Sequence, residues 1–213
     1  FFSLNESGIT KVSDFKGKKI GLLAGHPTET VFKVLAKQQG LSPSDYVVVP
    51  IGLADVSPLL TKQVDVMPGF VINHWLLLKE QGNTANIIDP HDYGIDSYAF
   101  VIFTTDGFIK KDPKVVTDFV NATLYGYAWA IENKEKATRL AMSFNPVLKE
   151  SNYGHELNQL VVGEKYFLPT SASKLGCMQD NVWKQSYERL KEHGLLEKEF
   201  DYRDAFTTKF VAC

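Results

Sequence analysis

The sequence predicts an α/β fold, because short apolar runs alternate with amphipathic helices along its first hundred residues. The 213-residue chain is 44% hydrophobic and 23% charged, which is enough apolar material for a substantial buried core. Short connections between the runs favour a mostly parallel sheet with helices on both faces. The predicted strands are Lys18–Ala24, Tyr46–Ile51, Val64–Met67 and Ala85–Asp89.

The predicted helices between these strands carry start and stop signals. Pro27 suits a first helical position, and the apolar stripe that follows it stops at Gly40. Two further helices are predicted at Ala54–Gln63 and Val71–Gln81. Ser13–Phe15 is predicted to form a short helical turn before the first of the four strands.

Beyond Asp96 the pattern changes to helices almost alone. Tyr98–Thr105 is predicted to be a single strand, and Asp112 with Pro113 starts a long helix that runs to Asn133. Its predicted buried stripe consists of Val115, Val116, Phe119, Val120, Leu124, Tyr127 and Ile131, and packing is also expected for Tyr125 and Trp129. Further helices are predicted at Lys134–Met142, Glu156–Phe167, Gln179–His193 and Asp204–Val211.

Composition excludes several classes of function. The formal net charge of -2 and the pI near 6.2, without a long basic stretch, argue against nucleic acid as a partner. No apolar run approaches the roughly 20 residues of a membrane span. The sequence contains no G-x-S-x-G, H-E-x-x-H, P-loop or CxxC motif, and its five histidines have no metal-ligand spacing, so neither a catalytic site nor a cofactor or metal is predicted.

The two cysteines, Cys177 and Cys213, are expected to be free thiols. A single disulfide is the alternative, but nothing in the sequence places the last residue near Cys177.

Candidate ligand-binding residues follow the predicted strands, at the edge of a parallel sheet where ligands usually bind. They are Gly25, His26, Thr28, Glu29, Thr30, Phe70, Asn73, His74, Tyr93 and Asp96. The amides at Thr28–Thr30 are expected to point into the crevice. Each residue also has a structural interpretation. His26, Asn73 and the two threonines suit helix caps, Glu29 suits a first-turn charge, and a hinge would explain the segment around Tyr93 and Asp96.

The chain resembles one branch of the ABC-transporter substrate-binding proteins, the nitrate, sulfonate, taurine and thiamine-pyrimidine branch. The matching runs are DFKGKKIGLLAG, VDVMPGFVINHWLLLKEQG, DYGIDSYAFVIFTT, DPKVVTDFVNATLYGYAWAIENKEKA and VWKQSYERLKEHGLL. Their order covers nearly the whole chain.

This resemblance implies the type II periplasmic-binding-protein fold, in which two three-layer αβα domains are joined by crossing strands. Residues 18–96 would be the complete second domain and 97–213 the returning, helix-rich part of the first. Residues 1–17 would end the N-terminal part of the first domain, which is expected to precede this sequence, as is a signal segment. An incomplete first domain would leave the strand Tyr98–Phe103 unpaired, so self-association is expected.

The implied function is that of an extracytoplasmic, periplasmic or membrane-anchored solute-binding protein that delivers a small ligand to an ABC-transporter permease. Rings at His26, Phe70, His74 and Tyr93, with the carboxylates of Glu29 and Asp96, favour a flat, thiamine-pyrimidine-like heterocycle. The alternatives are a sulfonate, taurine or nitrate-binding protein, a pyrimidine-precursor synthase of the same fold, and the effector domain of a LysR-type regulator.

Overall fold

Two compact units make up the chain in the computed structural model, which describes residues 1–52, 55–98, 100–167, 174–192, 194–211 and 213. The first unit contains Phe1–Asp96 and Glu188–Glu197, and the second contains Ser97–Tyr187 and Lys198–Cys213. The assignment of residues 1–17, 18–96 and 97–213 to the domains of a two-domain binding protein stays a prediction.

A mixed sheet forms the centre of the first unit. Its strands are β1 (Phe2–Leu4), β2 (Lys19–Leu22), β3 (Val47–Pro50) and β4 (Ala85–Ile87). β2 pairs with β3 in parallel, and Val66 bridges Ile20 of β2, also in parallel. Met67 bridges Phe2 in antiparallel fashion, and β1 pairs antiparallel with β4. The order across the sheet is therefore β3, β2, the Val66–Met67 segment, β1 and β4.

The position of β1 differs from the prediction of a sheet built from residues 18–96 alone. Phe2 exchanges two backbone hydrogen bonds with Met67, of 2.8 and 3.1 Å, so β1 separates the predicted third and fourth strands. Phe1 and Phe2 are both buried. Phe1 lies in the core on one face of the sheet, and Phe2 lies in the core on the other face. A strand that is apolar on both faces belongs in the interior of a sheet.

Helices cover both faces, which gives this unit three layers. Helix α1 (Pro27–Gln38) packs through Phe32 and Leu35 into the core on one face. Helix α2 (Ser57–Leu60) and helix α3 (Leu76–Glu80), which continues from a π-helical turn at Val71–Trp75, pack into the core on the other. The prediction of α1 is confirmed.

Helix α2 is shorter than the predicted Ala54–Gln63, and Ala54 itself lies outside the described residues. It ends near Lys62, which has a left-handed backbone with φ of 59°. A helix cannot continue through that conformation.

The described part of the second unit is helical. Its helices are α4 (Asp106–Lys111), α5 (Pro113–Glu132), α6 (Lys134–Ser143), α7 (Tyr153–Phe167) and α8 (Asp180–Glu192), whose last turn belongs to the first unit. The predictions of α5 to α8 are confirmed apart from small shifts at the ends, although His193 lies outside the described residues. The predicted helix Asp204–Val211 is wrong. A 3-10 turn at Tyr202–Ala205 ends there because Phe206 is extended.

The predicted strand Tyr98–Thr105 is also wrong for the residues that the structure describes. Tyr98 and residues 100–105 are assigned to no strand, and Ala99 lies outside the described residues. All strands among the described residues belong to the first unit, so this segment has no neighbouring strand of its own unit with which to pair.

The predicted buried stripe of α5 is only partly buried. Val116, Val120 and Ile131 are buried, as expected. Phe119 is 61% exposed and Tyr125 is 73% exposed, although both were expected to pack. Val115 and Tyr127 are exposed as well. The helix contacts α4, α6 and α7, and those neighbours cover a narrower face than the apolar pattern offers.

The expectation of free cysteines is wrong, because Cys177 and Cys213 form a disulfide with Cα atoms 5.7 Å apart. The segment after α8 returns over the start of that helix. The Tyr202 hydroxyl donates a 2.9 Å hydrogen bond to Asp180, and the ring of Phe206 stacks on Trp183 with centroids 4.9 Å apart. These contacts bring the C-terminal end back to Cys177, a proximity that the sequence does not encode locally.

Candidate functional site

The predicted site residues all follow strands that end at one edge of the first unit's sheet. β2, β3 and the Val66–Met67 segment run in the same direction. β4 shares that direction, because β1 is antiparallel both to β4 and to Met67. The carboxyl edge of a parallel sheet is where the loops can form a ligand site. The topology therefore places the backbone of all three predicted loops at this edge.

Residues of the first loop hydrogen-bond to one another at the start of α1. Gly25 has a positive φ of 74°, and His26 is the N-cap of α1. His26 Nδ1 accepts from the Thr28 amide at 3.3 Å and lies 2.9 Å from the Thr28 hydroxyl oxygen. The Glu29 amide donates to the His26 carbonyl at 2.9 Å. Two of the amides expected to serve a ligand, those of Thr28 and Glu29, therefore already have acceptors in the chain.

Glu29 ties the same loop to the helix. Its Oε2 accepts a 2.8 Å hydrogen bond from the Gly25 amide, and its Oε1 lies 2.7 Å from the Lys33 ammonium group. The bond from Lys33 and the bond from Gly25 lower the pKa of Glu29, so it is ionised at neutral pH. A carboxylate offers about four lone-pair positions, so two remain for a further donor.

The second loop opens on an exposed aromatic ring. Phe70 is 46% exposed. Trp75, five residues later, is partly buried against the core, and the Lys79 ammonium group lies over its ring. The Phe70 amide donates to His74 Nδ1 at 3.1 Å, and the two ring centroids are 6.5 Å apart. Asn73 lies inside the π-helical turn and is not the helix cap, because the turn begins two residues earlier.

The third loop has a mainly structural arrangement. The Tyr93 hydroxyl accepts a 3.0 Å hydrogen bond from the Val12 amide, and its ring packs on the core. Asp96 lies 2.5 Å from His91 Nδ1, and this bond raises the pKa of His91. Asp89 caps the intervening 3-10 turn, which ends at Gly94.

Asp55 is a further candidate that the sequence reasoning missed. It follows β3 at the same edge and accepts a 2.9 Å hydrogen bond from the Ser57 amide. Bonds from Ser57 lower the pKa of Asp55, and His74, when protonated, lowers it further. The available signal was a carboxylate shortly after the predicted strand Tyr46–Ile51, at the start of the predicted helix Ala54–Gln63.

A comparison with family models decides the classification, because the model described as NMT1/THI5-like matches residues 1–137. The chain belongs to the NMT1/THI5-like family. The resemblance to substrate-binding proteins noted from the sequence is thereby confirmed.

Curated relatives of this NMT1/THI5-like chain include two binding proteins and one synthase. It is 29% identical to the riboflavin-binding protein RibY of Chloroflexus aurantiacus over 99% of this chain and 61% of RibY. Identity to the formylaminopyrimidine-binding protein of Halalkalibacterium halodurans is 24%, over 89% of this chain and 59% of that protein. Identity to the 4-amino-5-hydroxymethyl-2-methylpyrimidine phosphate synthase of Legionella pneumophila is also 24%, over 98% of this chain and 64% of that protein. The chain thus spans about three fifths of each relative's length.

Among solved structures, the periplasmic aliphatic sulphonate binding protein SsuA of Escherichia coli matches with a TM-score of 0.66. The match covers 97% of this chain and 64% of SsuA at 16% identity. This likeness establishes the fold, and the predicted type II periplasmic-binding-protein class is confirmed.

Among the residues that the structure describes, no helix is long and apolar enough to cross a membrane. The same part of the chain contains no group of three or more His, Cys, Asp or Glu side chains arranged to hold a metal ion.

Proposed function

We propose that this chain belongs to the extracytoplasmic solute-binding component of an ABC importer and that it takes part in binding a small, flat, nitrogen-bearing heterocycle. The observation that carries the proposal is that three loops follow strands that end at the same edge of the mixed sheet, with the exposed ring of Phe70 on one of them. The family and the two binding-protein relatives support it. The partner would be an ABC-transporter permease, and the site of action periplasmic or on the outer face of the membrane.

The residues proposed to bind the ligand are those at this edge. They are Gly25, His26, Thr28, Glu29, Thr30, Phe70, Asn73, His74, Tyr93 and Asp96. The Phe70 ring would stack on the flat face of the ligand. The ionised Glu29 has lone pairs beyond those used by Gly25 and Lys33, and it would accept from an exocyclic amino group. A pure anion such as a sulfonate would be repelled by that charge.

Calorimetry on the complete polypeptide that carries this sequence tests the proposal. The titrants are an aminopyrimidine (4-amino-5-hydroxymethyl-2-methylpyrimidine), riboflavin, taurine and nitrate. We expect at least one of the two heterocycles to bind and neither of the two anions to bind. Tight binding of taurine or nitrate with no response to a heterocycle would overturn the proposal.

The variants Glu29→Gln and Asp55→Asn identify the carboxylate that meets the amino group. Loss of a charge-assisted hydrogen bond is expected to weaken affinity for the aminopyrimidine by about 10- to 100-fold. We expect that loss in Glu29→Gln. A loss confined to Asp55→Asn would transfer the role to Asp55.

A synthase-like enzyme is the second candidate, and the relative that favours it is the Legionella pneumophila protein, which matches almost the whole of this chain. The two functions differ in turnover. A binding protein returns its ligand unchanged after incubation, whereas release of a pyrimidine phosphate, followed by mass spectrometry, would identify the enzyme.

A further inference from the structure

The imidazole ring of His74 is held in one orientation. Its Nδ1 accepts the 3.1 Å hydrogen bond from the Phe70 amide, four residues earlier in the chain. The ring also lies against the backbone of Gly69, because a Cβ at Gly69 would come within 2.7 Å of the His74 Cγ. A hydrogen bond at one ring atom and a backbone against the ring leave little rotational freedom. The side chain is therefore preorganised before any ligand arrives.

The same hydrogen bond determines the tautomer. A neutral imidazole carries one proton, and the nitrogen that accepts from an amide must be the one without it. With Nδ1 as the acceptor, the proton is on Nε2. Protonation of Nδ1 would direct an N–H group at the N–H group of Phe70. The arrangement thus favours the neutral ring with Nε2 as a donor.

The surroundings of this ring are those of a ligand-binding edge. Phe70 and His74 follow the Val66–Met67 strand segment at the carboxyl edge of the sheet, and half of the Phe70 side chain is exposed. The carboxylate of Asp55 follows β3 at the same edge of the sheet and accepts a hydrogen bond from the Ser57 amide. A stacking surface and a fixed donor come from the loop after the Val66–Met67 segment, and a carboxylate acceptor follows β3 at the same edge of the sheet.

We infer that His74 determines specificity in the proposed site by donating from Nε2 to an acceptor atom at the edge of the ligand. The ligand class is then a heterocycle with an unprotonated ring nitrogen or a carbonyl oxygen beside the face that stacks on Phe70. Both an aminopyrimidine and a flavin ring satisfy this condition. The inference rests on the proposed function.

Two substitutions at the same position separate ligand binding from capping. In His74→Asn the side-chain oxygen can replace Nδ1 as the acceptor for Phe70, but no donor reaches the Nε2 position. In His74→Gln the longer amide can place a donor near the Nε2 position, but the acceptor at Nδ1 is lost. The measurements are the urea midpoint of unfolding and the calorimetric affinity for the aminopyrimidine and for riboflavin, with the complete polypeptide that carries this sequence.

We expect His74→Asn to unfold at the same urea midpoint as the wild type and to bind the heterocycle about tenfold more weakly. We expect His74→Gln to unfold at a lower urea midpoint than the wild type but to bind the heterocycle more tightly than His74→Asn does. If the wild type binds a heterocycle and His74→Asn binds it with the same affinity, this inference is overturned and the proposed function is not. Absence of heterocycle binding by the wild type would overturn the proposed function and this inference with it. A parallel loss of midpoint and affinity in both variants would show that His74 acts only as a structural cap.

Discussion

Gly69 lies so close to His74 that a Cβ at position 69 would come 2.7 Å from Cγ of the imidazole ring and 2.8 Å from the ring of Phe2. Phe2 is buried in the core, so it cannot move away easily. Glycine is therefore required at this position by contact, although its backbone conformation is open to other residues.

The first prediction is that Gly69→Ala destabilises the chain by about 1 to 3 kcal/mol, the usual cost of overpacking a well-filled site. The measurement is the free energy of unfolding in urea. Gly52→Ala is the matched control, because a Cβ at Gly52 meets no atom of the described residues within 4 Å. We expect the control to stay within about 0.5 kcal/mol of the wild type. Equal effects at both positions would contradict the contact argument.

The second prediction concerns the loop before α1. Glu29 accepts from the Gly25 amide and pairs with Lys33, and it lies in the first turn, where a negative charge favours the helix. We expect Glu29→Ala to lower the free energy of unfolding by about 0.5 to 1 kcal/mol at low salt. The Lys33→Ala variant removes only the ion pair, so it should lose less.

A double-mutant cycle between these two positions checks the assignment. If the Lys33 pair were the whole effect, Glu29→Ala and Lys33→Ala would be equally destabilising and the double variant no worse than either. A larger loss in Glu29→Ala isolates the contribution of the Gly25 bond and the helix terminus.

Local signals in the sequence were sufficient to predict most of the helices. Pro27 at the first position and Gly40 after the last turn define α1, and Pro113 defines the start of α5. Each signal acts through the conformation of its own residue and its neighbours, so it does not depend on the rest of the chain. The fold class followed from the alternation of such elements.

Long-range pairing was not predictable in the same way. β1 enters the sheet because Phe2 bonds to Met67, 65 positions later, and no local pattern specifies that partner. The strand predicted at Tyr98–Thr105 has the right composition, but a strand exists only where another backbone pairs with it.

The place of the candidate residues after strand ends was predictable from the sequence, but their hydrogen bonds were not. Residues after strand ends were identified from the topology, but the sequence does not show that Glu29 bonds to Gly25 or that Tyr93 bonds to Val12. These bonds depend on side-chain geometry. Asp55 was missed although the sequence offered a signal, a carboxylate shortly after a predicted strand.

The third prediction concerns pH. Hydrogen bonding to Asp96, and its charge, raise the pKa of His91 above its ordinary value of 6.5. A raised folded-state pKa contributes stability that is fully present below the unfolded pKa and is lost as the pH rises through the folded pKa. We expect Asp96→Asn to bring the pKa of His91 down toward its ordinary value in an NMR titration. The stability difference between wild type and variant should be largest at acidic pH and should vanish at alkaline pH.

Asp92→Asn is the control for this titration. Asp92 makes the smallest contribution among the carboxylates that act on His91, so its removal should lower the pKa of His91 much less. Equal shifts in the two variants would show that general negative charge, and not the Asp96 bond, sets the pKa.

The fourth prediction is self-association through the second unit. Phe103 is 90% exposed and Phe119 is 61% exposed, and large aromatic surfaces of this kind favour association in water. We expect sedimentation of the 213-residue chain to show mass increasing with concentration. Phe103→Ser with Phe119→Gln should shift the distribution toward monomer, whereas Lys110→Gln should not. A wild-type chain that remains monomeric at every concentration would contradict the prediction.

The fifth prediction is that the disulfide between Cys177 and Cys213 stabilises the second unit. The bond closes a loop with a sequence separation of 36, for which loop-closure entropy gives about 3 to 4 kcal/mol. We expect Cys213→Ser and Cys177→Ser to lower the free energy of unfolding by similar amounts, and a dithiol reductant to lower that of the wild type to the same level. The reductant should have no effect on either variant, since no disulfide is left to reduce. If the wild type keeps its stability in reductant after both thiols have become titratable, the contacts of Tyr202 with Asp180 and of Phe206 with Trp183 hold the C-terminal segment without the covalent bond.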